Sequence, residues 1–209
     1  MSVPAGTRFI GILPGVDMVE RKSTQANSPT EVYTIDQIQG NVGFFAQTAL
    51  GTVITNTITE TSLVGTGVGS LSVPPNFFKV GDSFVAKMCG NLSCDNAETI
   101  HIRVKSDGTT IADAGVFAMK ATTNKFFELT IDFTITKIGP AGVAELFVNG
   151  QYSYNHDTQG AIEGNNFALI SNTIFDTTVL NALSITAQWG DDKVGNSIQS
   201  QNFVLNKIY

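Results

Sequence analysis

The sequence predicts an all-β protein, a sandwich or barrel of antiparallel strands. Three observations carry that prediction. Apolar and polar residues alternate with period two in several long runs, which places one apolar face on each strand. Turn-forming glycine dipeptides separate those runs. Charged residues make up only 14% of 209, with 20 glycines, where an ordinary soluble domain carries about a quarter. A chain of this length buries a core without disulfide or metal support.

The first 60 residues hold few strand signals. Pro4, Pro14 and Pro29 punctuate them, and Ser23 to Pro29 is polar. Thr34-Ile-Asp-Gln37 has the spacing of a helix capping box, so a short helix is expected there, stopped at Gly40. The segment lacks the apolar density to fold alone. We divide the chain into an arm or adaptor, residues 1–50, and a β-domain, residues 51–209.

In the β-domain, Ile100-His101-Ile102-Arg103-Val104-Lys105 alternates without a fault. So do Leu129 to Ile135 and Leu183 to Trp189. Helical spacing would drive their polar residues into the core. Asp107-Gly108 and Asn149-Gly150 each tolerate the positive φ angles of a two-residue hairpin turn, so both are expected to be hairpins. Gly139-Pro-Ala-Gly142 and Gly190-Asp-Asp-Lys193 mark two further reversals. The count is about eight to ten strands, with turn signals every 8–14 residues or so, which fits a sandwich or barrel and not a βαβ fold.

Chemistry-bearing motifs are sparse. Gly65-Thr-Gly67-Val-Gly69-Ser70 lacks the lysine of a phosphate loop, and Pro74-Pro75 blocks the helix that such a loop needs. His156 and Asp157 could join a triad on paper, but no G-x-S-x-G elbow selects a serine. Asp191 and Asp192 are adjacent turn residues, and Glu128 and Asp132 lie apart along one strand, so no carboxylate pair for glycoside cleavage is expected. Loop oxygens of Asp95, Asp157 and Asp191 form no spaced calcium loop. Cys89 and Cys94 are read as two small buried or half-buried thiols, with a local disulfide the lesser reading. His101 has no metal-ligand spacing to them. Asn91-Leu-Ser93 is the one glycosylation sequon, expected to be unused because the N-terminus lacks a secretory h-region. We expect no enzyme activity, no cofactor and no metal. Net charge is −6, which disfavours nucleic acid and anionic membranes, and no apolar run approaches a spanning length.

Fourteen phenylalanines against one tryptophan and four tyrosines indicate core-forming aromatics. Phe44-Phe45, Phe77-Phe78 and Phe126-Phe127 are adjacent pairs, so one ring of each enters the core and the other points outward, unless a bulge tucks both in. Outward rings suit a subunit interface. The last strand, Asn202 to Tyr209, is apolar in both phases, which predicts burial on both faces and an interface through Phe203, Leu205, Ile208 and Tyr209.

Gly69-Ser-Leu-Ser-Val-Pro-Pro-Asn-Phe-Phe-Lys-Val-Gly-Asp-Ser-Phe84 resembles a strand-and-turn element of TNF/C1q-like jelly rolls in virion proteins. Glu98 to Lys105 and Lys125 to Ile135 resemble the strands that follow it, and the likeness spans about residues 60–209. Pro75 stands where the family more often has alanine. The resemblance implies a jelly-roll β-sandwich, a homotrimer and a structural place in a virion as a minor capsid, vertex, spike or tail-fibre component. Residues 1–50 would then attach to other virion proteins. Asn155, His156, Asp157, Asp191 and Asp192, in loops away from the C-terminus, would face a host-surface glycan or protein. A lectin-like module is the second reading, with Trp189, Tyr152 or Tyr154 as a stacking platform for sugar.

Overall fold

The computed structural model describes residues 18–20, 32–34, 42–169 and 174–209. The chain divides into two units, Met1–Gly40 and Asn41–Tyr209. In the first, β1 (Met18–Glu20) pairs antiparallel with β2 (Val32–Thr34). The helix expected after Thr34 lies outside the described residues.

The second unit is an antiparallel β-sandwich. Its strands are β3 (Val42–Gln47), β4 (Ile54–Thr55), β5 (Thr61–Ser62), β6 (Gly67–Gly69), β7 (Ser72–Val73), β8 (Ser83–Cys94) and β9 (Thr99–Ser106). They continue as β10 (Thr109–Ala118), β11 (Thr122–Lys137), β12 (Glu145–Asn155), β13 (Ile162–Leu169), β14 (Asn181–Trp189) and β15 (Ser197–Lys207). The large sheet runs β13-β12-β11-β8-β15-β3-β6, with β4 also on β15. The small sheet runs β10-β9-β14-β5, with β7 on β14. Four of these pairings nest. β3 joins β15, β5 joins β14, β8 joins β11, and β9 joins β10. The hairpin of β12 and β13 is added beyond β11.

The period-two runs form the core. Leu129, Ile131, Phe133 and Ile135 of β11 face Ile100, Ile102 and Val104 of β9 and Ile185, Ala187 and Trp189 of β14, all buried. Phe84, Ala86, Met88 and Leu92 of β8 join them. Asp107 and Gly108 have φ of 45° and 80°, the left-handed pair that a tight hairpin requires. Pro140 closes the next reversal, accepting from the amides of Val143 and Ala144 at 2.9 and 3.0 Å.

Asn149-Gly150 is not a turn. Both residues lie mid-strand in β12, opposite Asp132 and Ile131 of β11. The glycine answers a packing demand instead of a φ demand. Phe167 of β13 is paired with Gly150, and a Cβ there would stand 2.1 Å from the ring. Gly150→Val is therefore expected to cost about 1–3 kcal/mol through overpacking, read as a fall in the urea midpoint; a neutral result would mean that Phe167 does not pack over this position.

β3, which we placed in the arm, belongs to the sandwich. Its register on β15 skips Phe44, since Leu205 faces Phe45 and Asn206 faces Gly43. This bulge turns both rings inward. Phe44 stacks edge-on against Phe84 at 5.6 Å, and Phe45 meets Phe203 at 5.8 Å. The other two pairs split as expected. Phe127 is buried and Phe126 exposed, while Phe78 packs on Phe84 and Phe175 and Phe77 is exposed.

The last strand is buried on one face only. β15 is internal to the sheet, between β8 and β3. A register shift between Ser200 and Asn202 brings Ile198, Phe203 and Leu205 to the inner face despite their different phases. Phe203 and Leu205 are thus filled by this chain's own core and do not form an interface. Ile208 and Tyr209 are exposed.

Candidate functional site

The two ends of the sandwich differ in chemistry. At one end, the loop 74–82 before β8, the loop 138–144 after β11, the segment 174–180 before β14 and the C-terminus come together. The amide of Asn76 donates to the carbonyl of Thr177 at 2.8 Å, and that of Thr177 to Gly139 at 3.0 Å. The amide of Ser83 donates to Tyr209 at 3.1 Å. Asp82 ties the first loop to β15 by accepting from the Lys79 amide at 2.8 Å and the Lys207 ammonium at 2.6 Å. This end carries nine exposed large apolar side chains: Phe77, Val80, Ile138, Val143, Ile174, Val179, Leu180, Ile208 and Tyr209. That is half of all such residues among those described. The chain also enters the sandwich here, since Val42 pairs with Lys207. An apolar cavity of about 60 Å³ lies behind this end, between Phe44, Phe78, Phe84, Phe133 and Phe175. It has room for one or two waters and few polar partners to hold them.

The opposite end is polar. Glu98 is buried and binds the Lys193 ammonium and, at 3.1 Å, the Asn196 amide nitrogen. Those hydrogen bonds hold its carboxyl below the ordinary range against the effect of burial. Asp157 accepts from the amide and hydroxyl of Thr123, both at 2.9 Å, and lies 3.9 Å from Lys125. His156 accepts from the Thr158 amide at 3.4 Å. Asp191 and Asp192 are exposed, with Asp191 3.8 Å from Lys193. The five residues expected to face a host do share this end, but not one condition. Asn155, the last residue of β12, and His156 are half-buried, Asp157 is exposed but engaged in stitching a turn, and Asp191 and Asp192 are exposed.

The outer face of the small sheet carries an ionic network. His101 sits between Asp113, to which Nε2 donates, and Arg103, whose guanidinium donates to Nδ1 at 2.6 Å. Arg103 also donates to Gln188 at 2.9 Å and lies 3.2 Å from Glu60. Glu60 accepts from Lys105 and from the Thr186 hydroxyl, each at 2.6 Å. Burial alone would raise the Glu60 and Asp113 carboxyls. The hydrogen bonds from Lys105 and Thr186, and from His101 and the Gly115 amide, outweigh it and keep both low. The polar groups of this patch are satisfied by one another and by the segment before β5, which makes it a strut across three strands and that segment.

The large sheet presents the reverse case. On the outer face of β11, β12 and β13 lies an open groove of about 510 Å³, lined by Thr130, Asp132, Asn149, Gln151, Asn166 and Ala168 with backbone at Gly150 and Phe167. The sequence reading missed it, because these residues read only as the polar phase of three strands. The signal lay in their kind: amides and one carboxylate, with no lysine or arginine.

Cys89 and Cys94 are both free thiols. Five residues apart on β8, they face opposite sides about 16 Å apart, beyond disulfide reach. Burial pushes the Cys94 thiol up to about 12. The aromatic platform expected for sugar is absent from the surface. Trp189, Tyr152 and Tyr154 are each only 1% exposed, and Trp189 donates from Nε1 to the Ile54 carbonyl at 3.2 Å.

No family model and no curated protein matches the chain. Among solved structures it is similar to the CBM2 module of the evolved Dit of Lactobacillus casei BL23 phage J-1. Identity is 14%, over 65% of this chain and 66% of that one, with a TM-score of 0.29. The chain thus spans just under two thirds of that module's length, and a likeness so distant passes no property from one protein to the other.

Proposed function

We propose that this protein is a virion structural subunit, a jelly roll that assembles as a homotrimer through its apolar end and presents its polar end outward. One observation carries the reading: nine exposed large apolar side chains crowd the end where the chain enters and leaves the sandwich. Lone soluble domains rarely leave such a patch bare. Ile208 and Tyr209, from the four residues expected at an interface, belong to it.

The nested pairing of β3 with β15, β5 with β14, β8 with β11 and β9 with β10 supports the jelly-roll assignment, because a long antiparallel ribbon wound into two sheets produces that order. It agrees with the likeness of Gly69 to Phe84 to TNF/C1q-like virion elements. The part of the expected arm that precedes β3 would bind other virion proteins, and Asp191 and Asp192 would face a host surface. The role is assembly and attachment, not catalysis, and the acidic balance leaves nucleic acid out of it.

Light scattering on the full chain tests this. The expected mass is three times the 22.3 kDa of one subunit, and Phe77→Asp with Tyr209→Asp should lower it without lowering the strand content seen by circular dichroism. A monomeric wild type at micromolar concentration would overturn the proposal, as would a trimer indifferent to both substitutions.

A further inference from the structure

We propose that the groove on the outer face of β11–β13 is a binding site for neutral oligosaccharide. Its volume of about 510 Å³ falls within the roughly 300–1,000 Å³ of small-ligand clefts. The register sets its polar groups in rows. Asp132 lies opposite Asn149, Thr130 opposite Gln151, and Gln151 opposite Asn166. Ala168, opposite Asn149, leaves the depression open. None of these five polar side chains makes a hydrogen bond or ion pair with another group among the described residues, in contrast to the closed network on the small sheet.

The donor set selects the ligand. Three amides both donate and accept, the Thr130 hydroxyl does either, and Asp132 accepts. Such a set matches sugar hydroxyls, which also donate and accept at short intervals. An anionic ligand would find no cation in the lining and one carboxylate against it. A divalent cation would find one carboxylate where several oxygens are needed. Phe147 stands two residues before Asn149 on the same face of β12 and is 42% exposed, so its ring can meet the apolar face of a sugar. The groups sit on paired strands and are already spaced for contact. The site concerns the side of the sandwich, and it stands whether or not the chain is trimeric.

An array of neutral and anionic oligosaccharides, probed with the full chain, is the first measurement. At least one neutral oligosaccharide should bind. Calorimetry on that oligosaccharide should then show a loss of about tenfold or more for Asp132→Ala with Gln151→Ala, the scale of a hydrogen bond to a charged group. Both positions are exposed, so the thermal midpoint and the light-scattering mass should not move. Binding of anionic oligosaccharides alone, no binding at all, or neutral binding undiminished in the double variant would overturn the assignment.

Discussion

Trp189→Ala is expected to destabilise the β-domain by about 3–5 kcal/mol, the cost of deleting a large buried aromatic. Trp189 ends the inward phase of β14 and is among the largest fully buried side chains. Its ring fills the space between the sheets near the polar end, and its Nε1 is the donor for the Ile54 carbonyl at the start of β4. Alanine leaves a cavity and an unpaired buried carbonyl together, and nearby Ile100 and Ile198 are held in strands that cannot collapse inward. Denaturant titration measures the effect, and the thermal midpoint should fall by about 10 °C in a domain of this size. Surface substitutions usually stay within about 0.5 kcal/mol. A shift that small would mean that the ring is not in the core, and would return it to the role of an exposed sugar platform.

Glu98→Ala is expected to cost about 2–3 kcal/mol at neutral pH, with a pH dependence that identifies its cause. Glu98 joins the loop after β8 to the loop before β15 through Lys193 and Asn196. Removing it leaves the buried Asn196 amide with only the Asp191 carbonyl at 3.2 Å, and charge-assisted hydrogen bonds are worth about 1.5–3 kcal/mol each. Lys193 is half exposed, so its share is the smaller one. The hydrogen bonds from Lys193 and Asn196 depress the Glu98 carboxyl in the folded state. A depressed carboxyl stabilises fully above its unfolded value, about 4.3, and the contribution fades as pH falls through the lower folded value. The gap between wild type and Glu98→Ala should therefore close below about pH 4. Glu60 and Asp113, depressed in the same direction, would steepen acid unfolding in both proteins alike. A gap that stayed constant with pH would mean that Glu98 acts through packing and not through its charge.

Strand identity was readable wherever polarity alternated. Leu129 to Ile135, Ile100 to Val104 and Leu183 to Trp189 were assigned from period alone, because a sheet with one wet face imposes that pattern directly. Asp107-Gly108 was readable for a similar reason, since a two-residue hairpin demands positive φ at both positions. Asn149-Gly150 is a dipeptide of the same turn-forming kind and was a strand. What decided there was Phe167, some 17 residues further on, whose ring needs the space above the glycine. The last strand failed in the same manner. Its two apolar phases looked like two buried faces, but only Phe203 and Leu205 face the core, Val204 is half-buried on the other side, and the register shift near Gln201 brings Ile198 onto the inner face beside them. Bulges are set by the partner strand, and no local pattern announces them.

The amino-acid order by itself determined that this chain forms antiparallel strands, which of their residues face inward and where several of the reversals fall, because each depends on near neighbours in sequence. Only the tertiary structure decided which strands pair, that β3 belongs to the sandwich, that one end is apolar and the other polar, and that Asp132, Asn149, Gln151 and Asn166 line one groove. Those features join residues far apart along the chain, and pairing across a sheet is settled by the packing of the whole core.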